Sequence, residues 1–233
     1  MLAEGTYRLF CHPPPPEDFS LPRIIIFANG RLPDPDKVRA LLRPDDFILC
    51  ADGGARHALA LGLTPHLVVG DMDSAGWDDL QHLKEGGVEI ELFPRDKDET
   101  DLELAIHRAV EMKPEQIVIV AALGGRLDQT LGNIALLAGH RQPSPDIRLD
   151  DGVEEILLCR EQVQVQGRAG DIVSLIPWQG AVGGIRTFGM KWSLQDETLH
   201  PEKTRGISNE MTGETASVSI ASGLLLVIHR RQS

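Results

Sequence analysis

The chain predicts an α/β domain followed by an all-β domain, and three observations carry that expectation. From Arg23 to about residue 142, continuous apolar runs alternate with segments of helical period. After about residue 143 the helical period disappears and short strand-like runs follow at close intervals. Four motifs bearing carboxylates directly follow or closely trail apolar runs of the first part: Ala51-Asp52-Gly53-Gly54, Gly70-Asp71-Met72-Asp73-Ser74, Asp98-Glu99-Thr100-Asp101 and Gly124-Gly125-Arg126-Leu127-Asp128. Strands alternating with helices imply a mostly parallel, Rossmann-like sheet covered by helices on both faces. In such a sheet, residues just past the strand ends gather in the crevice where ligands bind.

Each element has a local reason. Ile24-Ile25-Ile26-Phe27-Ala28 is apolar throughout, as a strand buried on both faces must be. Asp34-Pro35 supplies an N-cap with proline at the first helical position. Phe47-Ile48-Leu49-Cys50 and Leu67-Val68-Val69 read as strands, with a helix over Gly54–Leu61 between them and another near Trp77–Lys84. Val88 to Leu92 alternates as a half-exposed strand does. Thr100 with Glu103 forms a capping box ahead of Leu102, Ala105, Ile106 and Ala109, which share one helical face. Gln116 to Ala122 is a fifth strand, and Asp128 opens a helix ending near Gly139. Pro143, Pro145 and Asp146 read as a hinge. Beyond it, the runs Glu155–Cys159, Gln162–Gln166, Ile172–Ile176, Thr215–Ile220 and Leu224–Ile228 suit a β-sandwich or barrel. The expected division is an N-terminal arm over 1–22, with prolines at 13–16, an α/β domain over 23–142 and a β domain over 147–233.

Bulk composition narrows the function. A formal charge of −12 argues against a general binder of nucleic acid or anionic membrane, both of which need a positive face. No run approaches the length of a membrane span, and no signal-peptide pattern opens the sequence. The three cysteines Cys11, Cys50 and Cys159 are far apart and form no framework, so a reducing cytoplasm is expected. The scattered histidines form no metal motif, and no GxSxG nucleophile occurs.

The acidic motifs point instead to metal-assisted phosphate chemistry. Carboxylates brought together repel one another unless a cation sits among them. An all-oxygen set favours a hard ion such as Mg²⁺, held through carboxylates and substrate phosphates. Each motif alone has a plainer account: Asp71, Asp73 and Ser74 suit capping positions, and Asp98 and Asp101 complement a helix dipole. Gly124-Gly125-Arg126-Leu127-Asp128 is stronger, because glycines admit close approach, Arg126 offers a fork for phosphate and the helix start adds free N–H groups. Asp52-Gly53-Gly54 resembles only part of a dinucleotide fingerprint. The conjunction of the motifs in ordered strand-end positions is what carries weight.

Taken together, Asp52-Gly53-Gly54-Ala55, Gly70-Asp71-Met72-Asp73-Ser74, Asp98-Glu99-Thr100-Asp101 and Gly125-Arg126-Leu127-Asp128-Gln129 occur in the order seen in thiamine pyrophosphokinases. Gly189-Met190-Lys191-Trp192-Ser193-Leu194 and Gly206-Ile207-Ser208-Asn209-Glu210 resemble that family's β-domain signatures. The resemblance spans roughly residues 23–230. It implies a β-sandwich that binds thiamine and dimerises, a homodimer with sites at the subunit interface, and the reaction of ATP with thiamine to give AMP and thiamine diphosphate. By resemblance Asp71, Asp73, Asp98 and Asp101 bind Mg²⁺, with Asp128 close by. Asp52, Gly53, Gly54, Gly125 and Arg126 meet the nucleotide, with Lys97 as a helper to Arg126 at the phosphates. Either Asp71 or Asp101 takes the hydroxyl proton. Trp192 offers a π-face to the thiamine rings, and Ser208 and Asn209 hydrogen-bond the aminopyrimidine. Gln129 stands where many bacterial members carry histidine, which argues against a general base there. Two other readings remain open: a pyrophosphokinase for another hydroxymethyl acceptor such as a pterin, and a non-catalytic protein that binds nucleotide or thiamine diphosphate.

Overall fold

The structure is a computed structural model and describes residues 23–72, 83–139 and 145–232. The N-terminal arm, Asp73, Ser74, Trp77 and Pro143 lie outside the described residues. The first half lays down β1 (Arg23–Phe27), α1 (Pro35–Leu41), β2 (Phe47–Ala51), a 3₁₀ turn (Asp52–Gly54), α2 (Ala55–Ala60), β3 (Leu67–Gly70), β4 (Glu89–Leu92), α3 (Asp101–Glu111), β5 (Gln116–Val120) and α4 (Leu127–Gly139). The second half adds β6 (Asp146–Asp150), β7 (Glu154–Cys159), β8 (Gln162–Gln166), β9 (Ile172–Pro177), β10 (Val182–Phe188), β11 (Gln195–Leu199), β12 (Asn209–Glu210), β13 (Thr215–Ser219) and β14 (Leu225–Arg230).

The helix starts form as their sequences dictate. The Asp34 side chain accepts from the Lys37 N–H at 3.1 Å with Pro35 behind it, and Thr100 Oγ1 accepts from the Glu103 N–H at 3.2 Å. Strand β1 alternates cleanly between two cores. Ile24 and Ile26 meet Leu102 and Ile106 of α3 and Ile134 and Leu137 of α4. Ile25 and Phe27 meet Val38 of α1 and Ala58 of α2 on the other face. Helices therefore cover both faces of this part of the sheet.

Strands β1 to β6 pair in parallel, in the order β6-β5-β1-β2-β3-β4. The chain moves outward from β1 through β2, β3 and β4, then returns to pair β5 with the other edge of β1. The boundary between β1 and β5 is thus the topological switch point, where a ligand crevice opens at the carboxyl ends of the strands.

The sheet does not stop where the helices do. Pro145 and Asp146, read as a hinge, lead straight into β6, which pairs in parallel with β5 and then antiparallel with β7. One 10-stranded sheet runs through both halves in the order β12-β9-β14-β7-β6-β5-β1-β2-β3-β4. A second sheet, β11-β10-β13-β8, packs over its far end. Leu157, Cys159, Val173, Leu175, Leu225 and Val227 meet Val165, Val182, Ile185, Ala216 and Val218 in that sandwich core. Ile156 and Leu226, on the reverse face of the same strands, join the core under α3 and α4. No helix among the described residues is long and apolar enough to cross a membrane.

Candidate active site

The β1–β5 switch point opens a cleft of about 570 Å³. Its wall takes residues from Ala28, Asn29 and Gly30 after β1, Ala51 at the end of β2 and Asp52 just past it, Asp71 after β3, and the starts of α3 and α4. Beside it the segments following β1 and β5 stay zipped together: the Gly30 N–H donates to the Ala121 carbonyl at 2.7 Å and the Arg31 N–H to the Leu123 carbonyl at 3.1 Å. Asn133 Nδ2 donates to the Ala122 carbonyl at 2.7 Å, which ties α4 to the same edge.

Three carboxylates meet there. One oxygen each from Asp52, Asp71 and Asp101 lies within 4.8 Å of the others. At that separation each pair of charges repels by ~3 kcal/mol at an effective dielectric near 20. The backbone is built to allow the approach. Asp52 takes a positive φ of 43° as the strand turns into the 3₁₀ helix, and it is only 5% exposed. A side chain on Gly54 would collide with the Phe27 carbonyl, and one on Gly53 with the Asn29 amide. The two glycines thus let the turn sit against the end of β1, which swings Asp52 into the cleft.

The donor set fits a divalent cation. Asp52 Oδ1 is buried with no hydrogen-bond partner, and so is Asp101 Oδ1. A buried carboxylate oxygen left in that state is costly unless something positive reaches it. Lys97 Nζ stands 2.9 Å from Asp101 Oδ1 as an ion pair, without hydrogen-bond alignment. Asp71, Asp101 and Asp52 together supply the hard oxygen ligands that Mg²⁺ and Mn²⁺ take.

Of the expected acidic residues that the structure describes, Asp52, Asp71 and Asp101 converge, and Asp98 and Asp128 stand apart. Asp52, expected beside the nucleotide, belongs to the acid trio. Asp98 is exposed and stands outside the trio. Asp128 lines the cleft wall but is not in the trio either; Arg126 Nη2 reaches its Oδ2 at 2.5 Å and Arg126 Nε its Oδ1 at 3.1 Å. That hydrogen-bonded pair is exposed, and it holds the Asp128 carboxyl below, and the Arg126 guanidinium above, their ordinary values. Gly124 and Gly125 adopt φ of 75° and 79°, conformations that favour glycine and bring the chain into α4. Asn29, Gly30 and Asn133 also line the cleft; nothing in their spacing along the chain signals it.

The expected β-domain residues Trp192, Ser208 and Asn209 lie on neighbouring stretches of backbone. Trp192 is 54% exposed and Lys191 Nζ sits 4.7 Å from the centre of its ring. Asn209 is buried, and its amide is committed to the loop: Oδ1 accepts from the Trp192 N–H at 3.1 Å, and Nδ2 donates to the Trp192 carbonyl at 2.7 Å. Asn209 Oδ1 also accepts from the Glu210 N–H at 2.9 Å. Asn209 therefore fixes the backbone that carries Trp192. Ser208 is exposed at a φ of 60° and its N–H donates to Ser174 Oγ at 3.0 Å. Cys50 and Cys159 are buried, and burial pushes both thiols up, Cys159 to about 11, which disfavours the thiolate form.

The chain is similar to known proteins in both sequence and fold. Residues 38–149 match the model of the thiamin pyrophosphokinase catalytic domain, and residues 159–225 that of the thiamin pyrophosphokinase vitamin B1 binding domain. A thiamine pyrophosphokinase of Bacillus subtilis is 30% identical over 179 residues, covering 76% of this chain and 84% of that one. Thiamine pyrophosphokinase 1 of Oryza sativa is 27% identical, covering 94% of this chain and 92% of that one. The crystal structure of the Bacillus subtilis thiamine pyrophosphokinase superposes with a TM-score of 0.79 at 26% identity, covering 91% of this chain and all of the other.

Proposed function

The chain belongs to the thiamine pyrophosphokinase family, and from that premise we propose how its own residues carry the transfer of a diphosphoryl unit from ATP to the hydroxyl of thiamine. The observation that carries the reading is the trio Asp52, Asp71 and Asp101 in a cleft at the sheet's switch point, two of them with buried oxygens that no hydrogen bond reaches. Mg²⁺ is the cation we assign to it, with Asp73 as a further ligand and Asp98 acting through water; a divalent ion there supplies neutralisation of the charge carried by the ATP phosphates.

The chain does the positioning. The glycine turns at 53–54 and 124–125 and the start of α4 give the triphosphate a wall of backbone with little side-chain bulk. Arg126 is exposed at that rim, where its fork can leave Asp128 for the migrating phosphates. Trp192 presents a flat face to the cationic thiamine ring system, its backbone held by Asn209. Asp71 or Asp101 takes the thiamine hydroxyl proton as that oxygen bonds to the β-phosphorus. The bond from the β-phosphorus to the α,β-bridging oxygen breaks, and AMP leaves.

We propose further that the working site is shared between two subunits. Every lining residue of the described cleft falls between Ala28 and Leu136, whereas Phe188, Trp192 and Ile207 stand exposed on the β half. A two-fold homodimer would set exposed side chains of one β half against its partner's cleft. The unpaired, buried Cys50 and Cys159 suit a reducing cytoplasm. The match to a vitamin B1 binding domain favours thiamine over a pterin acceptor. Incubation with ATP, Mg²⁺ and thiamine tests the reading: AMP and thiamine diphosphate should form in equal amounts. ADP with thiamine monophosphate would overturn it.

A further inference from the structure

The acid trio receives a cation from within the chain, and the manner of its delivery is unusual. Lys97 lies four residues before Asp101, at the turn that leads into α3, and its ammonium stands 2.9 Å from Asp101 Oδ1. The Lys97 side chain is only 11% exposed, although lysine ordinarily keeps its ammonium in water. Two ion pairs elsewhere in the molecule are aligned forks. Arg23 meets Asp46 with two hydrogen bonds of 2.7 Å, and Arg231 meets Asp150 with bonds of 2.7 and 2.8 Å. Lys97 makes no such aligned bond, since no hydrogen bond reaches Asp101 Oδ1. That oxygen is turned inward: a side chain on Gly70 would meet it at 3.2 Å and Asp52 Cβ at 2.9 Å. Lys97 meets that oxygen as a close ion pair rather than as an aligned fork.

We infer that Lys97 is the resident counter-ion of the acid trio, a positioning residue that a divalent cation displaces from Asp101 and that thereby sets the metal affinity of the nucleotide-free cleft. The inference rests on the reading of the trio as a divalent-cation site. The exchange is cation for cation and breaks no covalent bond. A compact ammonium on a flexible four-carbon stem suits it, because the head can withdraw without moving the loop.

The consequences have opposite signs. Without the ammonium, three carboxylates face one another uncompensated, so the metal-free protein loses stability. The same loss leaves the site more negative, so a divalent cation binds it more tightly. A lysine with a purely structural role would lower stability equally with and without metal. A lysine that served only the phosphates would change the KM for ATP and leave nucleotide-free metal binding untouched.

The test is Mn²⁺ binding to the full chain without nucleotide, read by electron paramagnetic resonance, in the wild type, Lys97→Met and Lys97→Arg. Lys97→Met should bind Mn²⁺ about tenfold more tightly, and its thermal midpoint should gain more from Mn²⁺ than that of the wild type. Lys97→Arg, which keeps the charge, should stay within about twofold of the wild type. In the wild type itself, labelling of Lys97 by an amine-reactive reagent, followed by mass spectrometry, should speed up several-fold when Mn²⁺ is added. Unchanged or weaker Mn²⁺ binding in Lys97→Met overturns the inference, as does a Lys97 labelling rate that stays level or falls. Failure of the wild type to bind Mn²⁺ at all would overturn the reading of the trio beneath it.

Discussion

Gly70 leaves the space that Asp52 fills: a side-chain carbon on Gly70 would stand 2.9 Å from Asp52 Cβ and 3.2 Å from Asp101 Oδ1. The last residue of β3 thus decides whether the first residue after β2 and the first residue of α3 can share a cation. Its φ of 155° adds a conformational reason for glycine.

Gly70→Ala should push Asp52 and Asp101 apart. We expect a loss of activity of at least tenfold together with a loss of about 1–3 kcal/mol in stability from overpacking. Steady-state kinetics and urea denaturation check both; near-normal activity would mean that the trio tolerates wider spacing.

A buried ion network at the opposite end of the sheet predicts a pH window for stability. His229 is fully buried, with Nε2 3.0 Å from Asp171 Oδ2 and Nδ1 3.4 Å from Glu155 Oε2. Burial disfavours its charged form, but the two carboxylates outweigh burial and raise its pKa above the ordinary 6.5. Burial likewise works against Glu155 and Asp171, yet His229 together with Arg148 and Arg231 for Glu155, and backbone N–H groups for Asp171, holds both below their ordinary values. The His229 contribution is therefore complete below pH 6.5 and lost as pH rises through its raised folded value. The carboxylate contributions are complete above their ordinary values of 4.5 and 3.8 and lost as pH falls through the depressed ones. His229→Gln should cost about 3 kcal/mol near pH 6. The gap to the wild type should narrow in alkali, and urea denaturation at several pH values reads it.

A site shared between subunits predicts complementation. Asp101→Asn and Trp192→Ala should each be inactive alone. Mixed and allowed to exchange subunits, they should recover part of the activity, because one site of each heterodimer is intact. No recovery with exchange confirmed by native mass spectrometry would mean that each chain builds its own site.

The parallel half was legible because its signals are local. Ile24 to Phe27 could only be a doubly buried strand, and Asp34 and Thr100 act as the caps their types suggest. The β half was less so. Strand β6 reads Asp-Ile-Arg-Leu-Asp, whose charges hide it from an apolar-run search; Arg148 pairs with Glu155 and Asp146, so the charges are settled only by the tertiary fold. Strands β10 and β11, with two glycines and three charged residues between them, escaped for the same reason. At the site, sequence order located the strand-end motifs but not which aspartates converge. Asp52 joins the trio because Gly53, Gly54 and Gly70 clear its path, a relationship between segments that spacing along the chain does not express. Asn209 likewise needed coordinates, since its partners are the backbone groups of Trp192, 17 residues away.

Asp52, Asp71 and Asp101 are proposed to hold the divalent cation on which ATP is positioned. Anomalous diffraction from crystals grown with Mn²⁺ and a non-hydrolysable ATP analogue measures this most directly. A Mn²⁺ peak is expected at roughly 2.0–2.3 Å from a carboxylate oxygen of each of the three, with analogue phosphate oxygens completing the shell. A peak that reaches the phosphates but leaves Asp52 or Asp101 out of coordination distance would contradict it.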